Sequence, residues 1–176
     1  MQKKVLHLSF AALFAALITA LTSVHLAVLP NGGYVHLGDA FVFLAGCILP
    51  TPYAMIAAGF GGVLADLLGG APMWAPATLL IKALIALLFT AKKETTLNTK
   101  NGIALVASAP ISCVGYYIAE CLIYAGANQA AWRGILAPSL IGNGAQAVAS
   151  SVLFIAFAFA LQKTKVDLRV KKLLQE

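Results

Sequence analysis

Apolar runs long enough to cross a bilayer, broken by short turn-forming clusters, constrain this chain more than any other feature. They lie at about 5 to 29, 37 to 49, 53 to 69, 76 to 91, 102 to 126 and 138 to 161. Roughly 20 consecutive apolar residues span a hydrocarbon core of about 30 Å, and lipid offers no hydrogen bonds to the backbone. The runs therefore predict helices. Of the 176 residues, 61% are hydrophobic and only 10% charged, against about 45–50% and about 25% in an ordinary soluble domain. The expected fold is an all-α integral membrane bundle of six transmembrane helices, forming one domain over residues 1–176.

Turn signals punctuate the runs. Pro30-Asn31-Gly32-Gly33, Pro50-Thr51-Pro52, Gly69-Gly70-Ala71-Pro72 and the polar stretch from Lys92 to Asn101 each interrupt the apolar pattern. At about 1.5 Å per residue the second run reaches only about 20 Å, so it is tilted or crosses part of the membrane. Lys3 and Lys4 before the first run imitate a signal peptide, but the run is long enough to span and reads as an uncleaved first helix.

Basic residues set the orientation. Lys3 and Lys4 precede the first helix, Lys92, Lys93 and Lys100 flank the fourth connection, and Lys163, Lys165, Arg169, Lys171 and Lys172 follow the last helix. Six crossings with both termini cytoplasmic place ten of the twelve basic residues inside, as the positive-inside rule requires. These clusters lack aromatic interleaving and argue against nucleic acid as a partner.

Five polar residues interrupt the apolar runs: Asp66, Lys82, Glu120, Asn143 and Gln146. A charge at the centre of a membrane helix costs about 2.5–3.5 kcal/mol on insertion scales, so such residues line cavities or pair. Counted from the nearest outer loop at about 1.5 Å per residue, they lie about 6, 10, 9, 8 and 12 Å deep. That shared depth predicts a pocket open to the outside, walled by Tyr116, Tyr117, Trp74 and Trp132. Asp66 and Lys82 sit at similar depth on successive helices and are expected as a structural ion pair, with Lys82 also a candidate pocket residue. Glu120 has only Lys82 or Arg133 as basic neighbours in its layer. Asn143 and Gln146, three apart on one helical face, offer amides that read a small heteroaromatic ring or hydrogen-bond between helices.

His36 and Asp39 stand at the outer entrance to the second helix, where Asp39 caps the helix or gates the pocket. His7 and His25 read as structural. On the first helix Ala12, Ala16 and Ala20 form a small-residue stripe, suited to docking another helix or to packing within the bundle. Gly59, Gly61 and Gly62 form a GxGG run without the strand–turn–helix context of a dinucleotide site, and so read as close helix packing. Cys47, Cys113 and Cys121 lack metal-ligand or disulfide spacing. No P-loop occurs, so ATP chemistry is not expected of this chain.

The runs HLGDAFVFLAG at 36–46, GGVLADL at 61–67 and WAPATLLIK at 74–82 resemble the substrate-binding S components of energy-coupling-factor vitamin transporters. Within that group the likeness is to the branch associated with pyridoxine or hydroxymethylpyrimidine uptake. It implies a six-helix protein of the prokaryotic plasma membrane that captures a vitamin outside, with Glu120, Asn143, Gln146, Lys82, Tyr116, Trp74, His36 and Asp39 as candidate substrate contacts. It further implies docking, through alanines like Ala12 and Ala16, onto a membrane coupling subunit that carries two ATPase subunits. No cofactor is then expected in the chain itself, ATP being used by the partners. Another vitamin such as riboflavin is an alternative cargo. The rival classes are a small intramembrane enzyme, for which no nucleophile or metal ligands present themselves, and a self-sufficient carrier, for which no inverted repeat is evident.

Overall fold

The computed structural model describes residues 2–28, 34–126 and 128–175. The expected turn at Pro30–Gly33 lies outside them. Among the described residues the helices are α1 (Gln2–Thr22), α2 (Gly38–Ile48), α3 (Thr51–Leu68), α4 (Ala75–Leu88), α5 (Thr99–Glu120), α6 (Gln129–Lys163) and α7 (Val166–Gln175). A hairpin of β1 (His25–Val28) and β2 (Tyr34–His36) joins α1 to α2. The fold is all-α in its bulk, and each of the six predicted runs holds a helix. Four stretches, Lys3–Thr22, Thr51–Leu68, Thr99–Ala125 and Ala130–Lys163, are long and apolar enough to cross a membrane, while Gly38–Ile48 and Pro72–Leu88 are shorter.

Helix starts follow the local chemistry. Pro52 and Pro76 occupy the first turns of α3 and α4, where a missing N–H costs nothing. Asn98 caps α5 by accepting from the Asn101 N–H at 3.1 Å, and Asn128 caps α6 by accepting from Ala130 and Ala131. α3 packs between α1 and α4, and α5 between α4 and α6. Short α2 sits at the centre against α1, α3, α4 and α6, buried on nearly every face. An 11-residue helix apolar all round survives there because its neighbours, rather than lipid or water, surround it. Phe43 of α2 stacks on Phe89 at 5.3 Å and meets Phe154 of α6 edge-on at 5.7 Å. Outward faces remain apolar, with Val106 75% exposed, as a lipid-facing surface requires.

Three boundaries differ from expectation. The first run was expected to be helical to about residue 29, but α1 ends at Thr22 and the chain turns into β1, with His25 opposite His36. A four-residue apolar strand and the end of an apolar helix look alike in hydropathy, and a hairpin also pairs its backbone internally. The sixth helix begins at Gln129, well before 138, and runs through Pro138. Neighbouring helices compensate such a proline inside a membrane.

The third difference is α7, expected only as a charged flank. Its buried positions Asp167, Lys171 and Leu174 fall on one face at helical spacing. Lys171 Nζ donates to the Lys93 carbonyl at 3.0 Å and to Thr96 Oγ1 at 3.3 Å. Thr96 in turn donates to Asp167 at 2.7 Å. Burial pushes the Lys171 ammonium below its ordinary range, and Asp167 draws it back. His7 of α1 meets the Leu174 carbonyl at 2.8 Å. The start of α1, the α4–α5 connection and α7 therefore share one end of the bundle, which gathers the basic clusters of all three.

Candidate functional site

The opposite half of the bundle holds a buried polar centre assembled from four elements. β2 runs through Leu37 directly into α2, which places His36 before the helix and Asp39 in its first turn. Lys82 of α4 forms an ion pair with Asp39 Oδ1. The two residues are only 3% and 7% exposed, so each charge is tolerated because the other is present. Gly62 of α3 makes room for this lysine: a Cβ there would lie 2.7 Å from Lys82 Cδ and 2.6 Å from Thr78 Cγ2. The GxGG run is thus a packing feature, as its context suggested.

This pairing corrects the expected Asp66–Lys82 bridge. Among the described residues Lys82–Asp39 is the one salt bridge. Asp66 stays within electrostatic reach of Lys82, but its neighbour is the Thr78 hydroxyl, and its Oδ2 is buried without a hydrogen-bond partner. Depth counting put Asp66 and Lys82 at one level but carried no information on rotation about each helix. The burial of α2 at the centre gives Asp39 the direct line to Lys82.

Gln146 of α6 ties the centre together. Its Oε1 accepts the His36 backbone N–H at 2.9 Å, and the two hydrogens of its Nε2 are shared among the His36 carbonyl at 3.1 Å, Asp39 Oδ2 at 3.1 Å and Ser150 Oγ at 2.9 Å. The same Nε2 lies 3.3 Å from His36 Nδ1, which also accepts the Gly38 N–H at 3.1 Å. An Nδ1 that accepts the Gly38 N–H carries no proton, so this bond assigns the His36 proton to Nε2. Gly38 itself is pressed onto Thr22, whose Oγ1 would lie 1.9 Å from a Cβ. That contact closes the end of α1 onto the start of α2.

Next to this network lies a second polar group. Asn143, one turn before Gln146 on α6, donates to the Ser139 carbonyl at 3.0 Å and reaches Glu120 Oε1 at 3.4 Å. Glu120 is 9% exposed and forms no salt bridge with a basic side chain among the described residues. It closes α5 where the helix widens into a π-turn over Cys121–Ala125, a geometry common where a helix re-aims side chains at functional sites. Trp74 packs 6.2 Å from Tyr116 and 6.0 Å from Tyr124, and Tyr116 donates weakly to Thr78 at 3.4 Å. Tyr117 and Trp132 form a separate edge-to-face pair at 6.5 Å.

The structure thus brings His36, Asp39, Lys82 and Gln146 into one network, sets Glu120 and Asn143 beside it through α6, and places Tyr116 and Trp74 together near Thr78. Reasoning from sequence missed Thr78, Tyr124, Ser139 and Ser150. For the two serines a signal existed: Ser139, Asn143, Gln146 and Ser150 recur at spacings of four, three and four, a polar stripe on one face of α6. Away from the centre, Ala12, Ala16 and Ala20 face outward, whereas Ala11, Phe14 and Ile18 turn into the bundle. The stripe is not consumed by packing within the chain.

Set against known proteins, the chain matches the family model described as ECF-type riboflavin transporter, S component, over residues 2–163. No curated protein matches it.

Proposed function

Since the chain belongs to the family of ECF-type riboflavin transporter S components, we propose that it captures a small B-vitamin-like molecule outside the cell and delivers it inward when docked on its coupling subunit. It is a multi-pass membrane protein and a transporter component; the cargo, the orientation and the docking mode are the proposal. The basic end of the bundle is read as cytoplasmic, because basic clusters are retained on that side. Glu120 then lies about 31 Å along α5 from Thr99, and Gln146 about 25 Å along α6 from Lys163, at about 1.5 Å per residue. Both belong to the outer half.

One observation supports this reading above the others: costly polar side chains from β2, α2, α4, α5 and α6 converge in that half. Within it the roles divide. In the Asp39–Lys82–Gln146–His36 network each residue bonds another member, which fixes the entrance of α2. Glu120 and Asn143 keep hydrogen-bonding capacity, beside the aromatic faces of Trp74 and Tyr116. A carboxylate that accepts and an amide that both donates and accepts suit a hydroxylated or aminated heteroaromatic ring, stacked on those aromatics. Pyridoxine or hydroxymethylpyrimidine is the leading cargo. Riboflavin is the second reading, favoured by the description of the matching family.

On the outer face of α1, Ala12, Ala16 and Ala20 would admit a helix of the coupling subunit at close range, where dispersion contacts drive association in lipid. ATP hydrolysis would fall to the two ATPase subunits bound to it. Calorimetry on the purified chain with pyridoxine, hydroxymethylpyrimidine and riboflavin tests the proposal. Saturable binding of one of them is expected. No binding of any, together with vitamin uptake unaffected by loss of the chain, would overturn it, and turnover of a lipid by the purified protein would revive the enzyme reading.

A further inference from the structure

A second site lies at the basic end, far from the polar centre. A cleft of about 650 Å³ opens between the end of α4 and the start of α5. Its rim carries Lys93, Thr99 and Lys100, and its wall is formed by Leu88, Ile103 and Ala107 among others. Lys100, Ile103 and Ala107 follow one face of α5 at spacings of three and four, so the cleft is cationic at its mouth and apolar one and two turns higher. Neither lysine has a carboxylate partner, the only salt bridge among the described residues being Lys82–Asp39. The mouth also receives the positive end of the α5 dipole.

The geometry points to a binding site for one anionic phospholipid, its phosphate between Lys93 and Lys100 and an acyl chain along Ile103 and Ala107. Three features favour a lipid over a soluble anion. The apolar wall continues from the charged mouth without a polar break, Ile103 is 66% exposed on that wall, and α5 is one of the helices able to cross the membrane. Basic clefts between membrane helices on the positively charged side recognise such headgroups. The Asn98 cap and the Lys171 contacts to the Lys93 and Glu94 carbonyls fix the loop that carries Lys93, so the mouth is preformed. This site is independent of the vitamin reading.

Native mass spectrometry of the full chain in mild detergent, offered equal phosphatidylglycerol and phosphatidylcholine, provides the test. Preferential retention of phosphatidylglycerol is expected. The double variant Lys93→Gln/Lys100→Gln should lose about 25-fold in that retention, the equivalent of about 1 kcal/mol of membrane attraction for each of the two lysines. The charge-matched control Lys163→Gln/Lys165→Gln should stay near the unmodified protein. Ala107→Phe, which fills the wall without changing charge, should also release the lipid, with helical circular dichroism confirming that each variant is folded. Equal retention of the two lipids, equal losses in the control, or displacement by inorganic phosphate as readily as by phosphatidylglycerol would each overturn the assignment.

Discussion

Gln146 holds the main chain of His36 from both sides, accepting its N–H at 2.9 Å and donating to its carbonyl at 3.1 Å. A side-chain amide on α6 thereby acts as a one-residue strand partner for β2, and it also reaches Asp39 at 3.1 Å. The hairpin, the start of α2 and the middle of α6 cannot move independently while those bonds persist.

Gln146→Leu removes the acceptor of the buried His36 N–H, a donor to its carbonyl and a donor to Asp39. At about 1–3 kcal/mol for each buried group that loses its partner, the two backbone groups together give an expected loss of about 2–6 kcal/mol. Thermal unfolding in detergent measures the total. Hydrogen exchange should show the loss of protection concentrated at residues 35–39, and a uniform loss along the chain would contradict the local role.

Lys82→Met leaves the Asp39 carboxylate buried and unpaired, for an expected cost of about 3–5 kcal/mol. Adding Asp39→Asn should recover most of it. Asp66→Asn should change stability by less than about 1 kcal/mol, because its carboxylate is not the partner of Lys82. If Asp66→Asn proved as costly as Lys82→Met, the ion-pair assignment would be wrong.

Glu120→Gln and Asn143→Ala are predicted to weaken vitamin binding by about 1–3 kcal/mol each, the range for removing one hydrogen-bond partner from a buried site. The melting temperature should shift little, since the Asn143–Glu120 contact is long at 3.4 Å. Calorimetry with the cognate vitamin reads the affinity and a parallel melt reads the fold; unchanged affinity in both variants would remove these residues from the pocket.

Ala16→Trp should abolish vitamin uptake in cells while leaving the affinity of the isolated chain intact. Ala16 lies on the exposed face of α1, so a bulky side chain there blocks close approach of a partner helix without entering the bundle. Co-purification with the coupling subunit provides the direct readout. Equal loss of uptake and of ligand affinity would mean that the residue serves the fold rather than docking.

Much of the architecture was legible in the chain because membrane insertion is read out locally. The breakers at Pro50–Pro52, at Gly69–Pro72 and around Lys92–Asn101 fall at the boundaries of observed helices, and the basic clusters that suggested a common side are in contact through Lys171 and His7. Hydropathy could not separate β1 from the end of α1, since Leu26 to Val28 are equally apolar in either form. Nor could it show that the tail from Val166 folds back, because α7 gains its stability from Thr96, Lys93 and the start of α1 rather than from its own composition.

The sequence by itself determined that this chain lives in a bilayer, where its six apolar helical runs lie and which few polar residues are costly to bury, because the transfer cost of a residue follows from its identity and its depth along a run. Only the tertiary structure decided which of those residues meet. Asp39 rather than Asp66 pairs with Lys82 because the side chain that faces a buried ammonium is chosen by the rotation and burial of whole helices, with α2 enclosed at the centre, and no count along one strand of sequence contains that rotation.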